Sequence, residues 1–172
     1  GYKEGRSLDN FDEWQYLASH EDLITTFGSD TTAAIKHYVS NGYKEGRSLD
    51  NFDECQYLAS NADLITAFGS DTTVAIQHYV SNGYKEGRSL DNFDEWGYLA
   101  SNNDLIKAFG SDTTEAIKHY ISHGLLEGRV TNLFNVDSYL NNYADIKSIF
   151  GNDHDLAKKH FIEHGFAEGR VF

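Results

Sequence analysis

Apolar residues recur along this chain with the spacing of short amphipathic helices. Near the start, Phe11, Trp14 and Leu17 share one helical face. Asn10 before them, with Glu13 three residues later, has the pattern of a capping box and predicts that a first helix begins after Asn10. No stretch alternates polar and apolar residues for long, so the pattern favours helices over strands.

Two further helices are predicted in the same stretch. The second starts at Ser19 and ends at Gly28, and the third begins after the capping residue Asp30. The apolar positions of the third helix are Ala34, Ile35, Tyr38 and Val39. A glycine follows the third helix, at the position where a residue in the left-handed conformation commonly ends a helix. We expect this conformation at four equivalent glycines, which we call the glycine column: Gly42, Gly83, Gly124 and Gly165.

This pattern repeats every 41 residues. The phrase GYKEGRSLDNFDE stands unchanged at 1–13, 42–54 and 83–95. The predicted repeats are 1–41, 42–82, 83–123 and a divergent 124–164, followed by a partial unit and C-terminal cap at 165–172. Periods near 40 residues are typical of helical solenoids. The predicted fold class is all-α, a tandem array of about three short helices per unit, either solenoid-like or compact. The chain begins inside the motif without a signal peptide, and we expect it to be the end of a longer array.

Composition excludes several classes of partner. The 172 residues carry 14 Lys and Arg against 27 Asp and Glu, a net charge of −13. Nucleic acids and anionic membrane surfaces both attract basic proteins, so neither is an expected partner. No apolar run approaches the roughly 18 residues of a membrane-spanning helix. The single cysteine, Cys55, precludes an internal disulfide.

An arginine closes each Gly-x-x-Glu-Gly-Arg turn. These residues are Arg6, Arg47, Arg88, Arg129 and Arg170. A guanidinium presents a planar fork of donors that suits carboxylates, so an anion-binding role is one interpretation. We favour a structural role, in which each arginine pairs with a nearby carboxylate such as Asp22 or with helix carbonyls and joins one unit to the next.

Histidines occupy the last turn of each third helix. They are His37, His78, His119 and His160. A cation there opposes the negative end of the helix dipole, which is the interpretation we favour. His123 and His164 each follow one of these histidines by four residues, and such pairs on one helix face could hold zinc or copper. Metal binding at the pairs is therefore a weaker alternative.

Aromatic and acidic residues near the first helix suggest two binding roles. Trp14 and Trp96 share a column with Cys55 and Asp137. An exposed Trp could stack on a sugar whose hydroxyls bond the neighbouring Asp9, Asn10, Asp91 and Asn92, although a half-buried packing role is the favoured interpretation. The acidic helix starts do not match the spacing of an EF-hand, so weak calcium binding is the most they suggest, and no dedicated cofactor is predicted.

No catalytic motif accompanies these columns. The sequence lacks a Gly-x-Ser-x-Gly elbow, a P-loop and a dinucleotide-binding fingerprint. The carboxylates repeat with the array, whereas a catalytic pair occurs once. The prediction is that the protein is not an enzyme.

The repeat consensus resembles a known class of bacterial sequence. It reads Phe-Asp-x-x-x-Tyr-Leu-Ala-Ser-x-x-Asp-Leu-Ile-x-x-Phe-Gly, then Ala-x-x-His-Tyr-x-x-x-Gly-x-x-Glu-Gly-Arg, at 2–41, 43–82, 84–123 and more loosely 125–170. It resembles tandem repeats of large secreted bacterial surface and type I-secreted proteins. The resemblance implies an extracellular or cell-surface location and a structural, matrix or adhesive role. The partners it implies are other repeats of the parent chain, self-association or surface glycans. No ligand residue is carried over, and the calcium-binding glycine-rich repeats of such parents are missing here.

Overall fold

Short helices account for the regular structure of this protein. The computed structural model describes residues 11–172, and in this range it contains helices and no strand. The chain divides into two compact units, 1–90 and 91–172. The prediction of an all-α tandem array is therefore confirmed. None of the helices in the described range has the length and apolar character needed to cross a membrane.

The first unit holds two repeats of the same three-helix pattern. Repeat 1 consists of α1 (Glu13–Ala18), α2 (Glu21–Phe27), α3 (Thr31–His37) and a π-helical turn, Tyr38–Gly42. Repeat 2 consists of α4 (Glu54–Ala59), α5 (Ala62–Phe68), α6 (Thr72–His78), the π-helical turn Tyr79–Gly83 and the single turn α7 (Tyr84–Glu86). Each third helix thus runs into its π-helical turn without a break.

The second unit has the same organisation. Repeat 3 consists of α8 (Glu95–Ser101), α9 (Asn103–Phe109), α10 (Thr113–His119) and the π-helical turn Tyr120–Gly124. Repeat 4 consists of α11 (Val136–Asn142), α12 (Ala144–Phe150), α13 (His154–His160) and the π-helical turn Phe161–Gly165. The divergence of the fourth sequence has not changed its helices.

Capping side chains define the start of most α-helices in the described range, and one predicted cap is wrong. The second helix begins at Glu21, two residues after the predicted start at Ser19. Asp30 caps α3 by accepting from the backbone N–H of Ala33, as predicted. The first helix is capped by Asp12, which accepts from two backbone N–H groups at 2.9 Å, and not by Asn10. Asn10 itself lies outside the described residues. The equivalent Asp53 caps α4, so the acid two residues further along is the cap that the fold uses.

The glycine predicted to end each third helix is also misassigned. Gly42, Gly83, Gly124 and Gly165 all lie within π-helical turns, and none of them has a positive φ. The left-handed residue is the second glycine of the same turn, with a φ of 67° at Gly46. The helix therefore continues for one wide turn beyond the predicted end, and the first glycine must have another purpose.

Buried aromatic rings and aliphatic side chains form the core of each repeat. Tyr16 and Leu17 on α1 are both fully buried, and Ile24 on α2 is 2% exposed. A phenylalanine before each first helix packs on the ring that opens the π-helical turn, with centroids 4.7 Å apart for Phe52 and Tyr79. The same columns that persist in the sequence therefore hold the three helices together.

Within each unit the two repeats pack through equivalent elements. In the first unit, α1 packs against α6 and the π-helical turn 79–83. In the second unit, α8 packs against α13 and the π-helical turn 161–165. The first helix of one repeat thus covers the end of the third helix of the next.

Candidate functional site

A buried tyrosine, a histidine and a glycine meet at the end of each third helix. The Tyr16 hydroxyl on α1 lies 3.0 Å from His37 Nδ1 and forms a hydrogen bond with it. The same bond recurs in the other repeats at 2.8–2.9 Å, joining Tyr57 to His78, Tyr98 to His119 and Tyr139 to His160. The histidine column therefore anchors the first helix to the third. This bond was not predicted from the sequence, where only the histidine column was considered.

The glycine column is explained by the same tyrosine. A Cβ built at Gly42 would overlap the Tyr16 hydroxyl, and a Cβ at Gly83 would overlap that of Tyr57. The remaining two glycines, Gly124 and Gly165, face their own tyrosines in the same way. Close approach of a side chain, and not a left-handed backbone, accounts for glycine at these four positions.

Burial shifts the pKa of all four tyrosines, and of the histidines in repeats 3 and 4, in the direction that favours the neutral form. It raises the pKa of all four tyrosines, to about 12 for Tyr57 and Tyr139. It also lowers the pKa of His119 and His160, because a buried imidazolium loses its hydration. Neutral, hydrogen-bonded partners of this kind suit a structural contact.

Each arginine of the described turns pairs with two carboxylates. Arg47 donates to both oxygens of Asp22, at 2.8 and 2.9 Å, and through Nε to Glu45 at 2.7 Å. Arg88, Arg129 and Arg170 make the same pairs with the carboxylates 25 and 2 residues before them. We call this arrangement the arginine clip. Arg6 lies outside the described residues.

The arginine clip joins the turn to the second helix of the preceding repeat. The guanidinium lowers the pKa of the clip aspartates Asp22, Asp63, Asp104 and Asp145, chiefly through these hydrogen bonds. The folding unit is therefore displaced from the sequence unit, because the turn that opens one sequence repeat packs on the repeat before it. In repeat 4 the segment 165–172 has this role, with Phe172 packed on Phe134 at 4.7 Å between centroids.

The tryptophan column lies beside the contact between repeats. Trp96 on α8 is half-buried, and the Lys159 ammonium of the next repeat lies 5.6 Å from its ring centroid. Trp14 is half-buried on the equivalent helix α1. In repeat 4 the column holds Asp137, which lies 3.2 Å from His154 Nε2. The half-buried packing interpretation fits these positions.

The polar residues predicted to accompany these rings are only partly described. Asp91 and Asn92 are exposed, and each interacts with neighbouring groups of the protein. Asp9 lies outside the described residues, as does Asn10. Of the four polar residues predicted to accompany the rings, the structure therefore describes only the two beside Trp96.

The paired histidines lie close together but do not form a complete metal site. The ring centroids of His119 and His123 are 5.8 Å apart, and those of His160 and His164 are 5.5 Å apart. Across residues 11–172, no group of three or more His, Cys, Asp or Glu side chains could hold a metal ion. The inner histidine of each pair is also bonded to a tyrosine through Nδ1. Each pair offers two nitrogen ligands of the four that structural zinc requires.

The second unit contains a cleft lined mainly by aromatic side chains. Its lining includes Phe161, Phe166, Phe172 and Arg170. The Arg170 guanidinium is already paired with Asp145 and Glu168. The cleft is therefore lined mainly by apolar side chains and its cation is engaged, with Asn103 as the other polar residue of its lining.

A further polar column links each repeat to the loop after it. His20 Nε2 lies 2.9 Å from the Ser48 carbonyl, and Asn61 Nδ2 donates to the Ser89 carbonyl at 2.8 Å. Asn102 bonds Val130 in the same way, while the Tyr143 hydroxyl accepts from the Val171 N–H. The sequence carries a signal for this column, since all four residues can form hydrogen bonds although their types differ.

Comparisons with known proteins return no relative. No protein-family description, no curated protein and no solved structure matches this chain.

Proposed function

We propose that this chain is a non-enzymatic repeat module that serves as a structural, matrix or adhesion segment of a larger extracellular bacterial protein. One observation carries the proposal: the side chains that persist from repeat to repeat are bonded to one another. The tyrosine–histidine pair and the arginine clip recur in each described repeat with nearly the same distances. Side chains that are bonded to one another in this way stabilise the fold of each repeat.

The repeated surface supports the same role. Near-identical units present the same groups many times, so weak contacts with a matrix or another array gain strength by multivalency. The net charge of −13 opposes aggregation of so repetitive a chain. The extracellular location rests on the resemblance of the repeat consensus to secreted bacterial surface proteins.

Carbohydrate binding at the tryptophan column is the alternative function. It is favoured by the part of each Trp ring that remains exposed. A glycan array and polysaccharide pull-down, with and without calcium or zinc, separate the two functions. The variant Trp14→Ala/Trp96→Ala is compared with Trp14→Phe/Trp96→Phe, which retains a ring at both positions.

We expect no saturable binding by the folded wild-type chain. Saturable binding lost in the alanine variant and retained in the phenylalanine variant would establish a carbohydrate-binding module instead. Binding that requires zinc and disappears with His123→Ala/His164→Ala would assign the paired histidines to a metal site. Binding that requires calcium but neither tryptophans nor histidines would point to the acidic helix starts.

A further inference from the structure

Two adjacent lysines on α13 of repeat 4 reach across to α8 of repeat 3. Lys158 Nζ lies 2.6 Å from Asp94 Oδ2, and the lysine side chain is 16% exposed. Lys159 places its ammonium over the Trp96 ring. Burial lowers the pKa of Lys158, but hydrogen bonds to Asp94 and Asp155 outweigh it and raise the pKa overall, so Lys158 is charged in this contact.

The other repeats have isoleucine in the column of Lys158. Its members are Ile35, Ile76 and Ile117. In the first unit, Ile76 is 8% exposed on α6, the helix that packs against α1. The contact between a first helix and the next third helix therefore has an aliphatic side chain in the first unit, where the second unit has an ion pair.

Asp94 forms this ion pair while it also caps α8. Its Oδ1 accepts from the backbone N–H of Gly97 at 2.8 Å, and its Oδ2 binds Lys158. The carboxylate lies directly against the helix, since a Cβ built at Gly97 would lie 2.5 Å from Oδ2 and 2.8 Å from Cγ. A side chain at residue 97 would therefore displace the oxygen that binds Lys158.

Repeats 1 and 2 have glutamine in the column of Gly97. Gln15 is 7% exposed, and its Nε2 donates to Asp50 Oδ1 and to the Phe52 carbonyl in the following loop. Gln56 is the equivalent residue of α4. Glycine and lysine thus occur together in the contact between repeats 3 and 4, while glutamine and isoleucine occur together in the contact between repeats 1 and 2.

We propose that Gly97 and Lys158 are a matched pair that specifies repeat 3 as the neighbour of the last repeat. Lys158 requires an acceptor, because an ammonium removed from water without one is costly. Asp94 supplies this acceptor in the observed orientation only when residue 97 is glycine. In a chain of near-identical repeats, the pair disfavours packing of repeat 4 on repeat 1 or repeat 2. This inference goes beyond the proposed function and does not depend on it.

A double-substitution cycle in the full chain tests the proposal. Gly97→Gln gives repeat 3 the residue of repeats 1 and 2, and Lys158→Ile gives repeat 4 the residue of the other three. Hydrogen exchange is measured at the α13 amides 157–160, with the α6 amides 75–78 as the reference for the first unit.

We expect Gly97→Gln to speed exchange in α13 by roughly tenfold in the wild-type background, and by less than about twofold in the Lys158→Ile background. Glutamine favours a helix more than glycine does, so the intrinsic effect of the substitution acts in the opposite direction. Exchange in α6 should not change.

Asp94→Asn is the matched control for the ion pair. Asn135 caps the equivalent helix α11, so asparagine retains the cap while the charge is lost. Gly97→Gln should therefore speed exchange much less in the Asp94→Asn background. Gly97→Ala, which adds the Cβ alone, replaces the glutamine variant if that variant does not fold. Equal effects in all three backgrounds, including loss of the fold, would overturn the proposal, and so would no effect in any of them.

Discussion

At the scale of single residues, replacing the glycine beside each buried tyrosine by alanine should have an unusual effect on stability. Glycine to alanine within a helix ordinarily stabilises it by about 1 kcal/mol. At Gly83 the new methyl group would overlap the Tyr57 hydroxyl, and overpacking of this kind costs about 1–3 kcal/mol. We therefore predict that Gly83→Ala lowers the free energy of unfolding, measured by urea denaturation.

Removing the hydroxyl provides the control for this prediction. Tyr57→Phe alone should cost about 1 kcal/mol, since it deletes a partly buried hydrogen bond to His78. In the Tyr57→Phe background, Gly83→Ala should cost clearly less than in the wild type, giving a favourable coupling between the two changes. Equal costs in both backgrounds would show that the hydroxyl does not determine the choice of glycine.

At the scale of elements, the arginine clip connects a turn to a helix through mostly exposed carboxylates. The Asp63 side chain is 62% exposed, so we expect the clip to add little stability despite its short distances. Its clearest signature is electrostatic, because the Arg88 guanidinium holds the pKa of Asp63 below its usual value. We predict that Arg88→Gln returns this pKa towards the ordinary range, measured by carboxyl NMR titration.

Asp22 serves as the internal reference in the same titration. It is held by Arg47, which the substitution leaves in place, so its lowered pKa should not change. A lowered pKa of Asp63 that survives Arg88→Gln would mean that the helix start, and not the clip, stabilises the carboxylate.

The sequence predicts the helices well because local signals define them. Asp30 and Gly28 were assigned correctly since a cap and a left-handed glycine act on adjacent backbone. Gly42 and Gly46 both resemble helix-ending glycines, and only the distant Tyr16 distinguishes them. The cap of the first helix, Asp12, likewise stands two positions beyond the predicted Asn10, and both are residue types that commonly cap helices.

The site residues were harder to predict because their partners belong to other elements. The Tyr16–His37 bond spans 21 residues, and the Lys159–Trp96 contact joins two repeats. The regular spacing of the tyrosine and histidine residues indicates that each is needed in every repeat. The spacing does not indicate which residue each of them contacts. Physical contact between columns is a tertiary property, which a single sequence with one period does not encode locally.

At the scale of the whole molecule, two groups of side chains with shifted pKa values make stability depend on pH. The first consists of the four clip aspartates. Their pKa values are lowered in the folded state, so the stability they add is present above the unfolded value near 4 and is lost as pH falls through the folded values. We predict a decline in the urea midpoint below about pH 4 that is weaker when Arg47, Arg88, Arg129 and Arg170 are replaced by Gln. An equally steep decline in that variant would assign acid unfolding to other carboxylates.

The second group acts nearer to neutral pH. Burial lowers the pKa of His119 and His160, so below the unfolded value of about 6.5 the unfolded chain binds protons more readily than the folded chain. The free energy of unfolding should therefore fall as pH drops from about 7.5 to 5. We predict that His119→Gln/His160→Gln flattens this part of the urea-midpoint profile, even though the variant is less stable at pH 8.

Substitution of the outer histidines provides the comparison. His123 and His164 are exposed, so His123→Gln/His164→Gln should leave most of the slope between pH 7.5 and 5 in place. A small reduction is expected, because each outer imidazolium repels a proton on its inner neighbour. If instead the outer pair removes the slope and the inner pair does not, protonation at the exposed rings governs stability, and the buried tyrosine–histidine bonds are insensitive to pH.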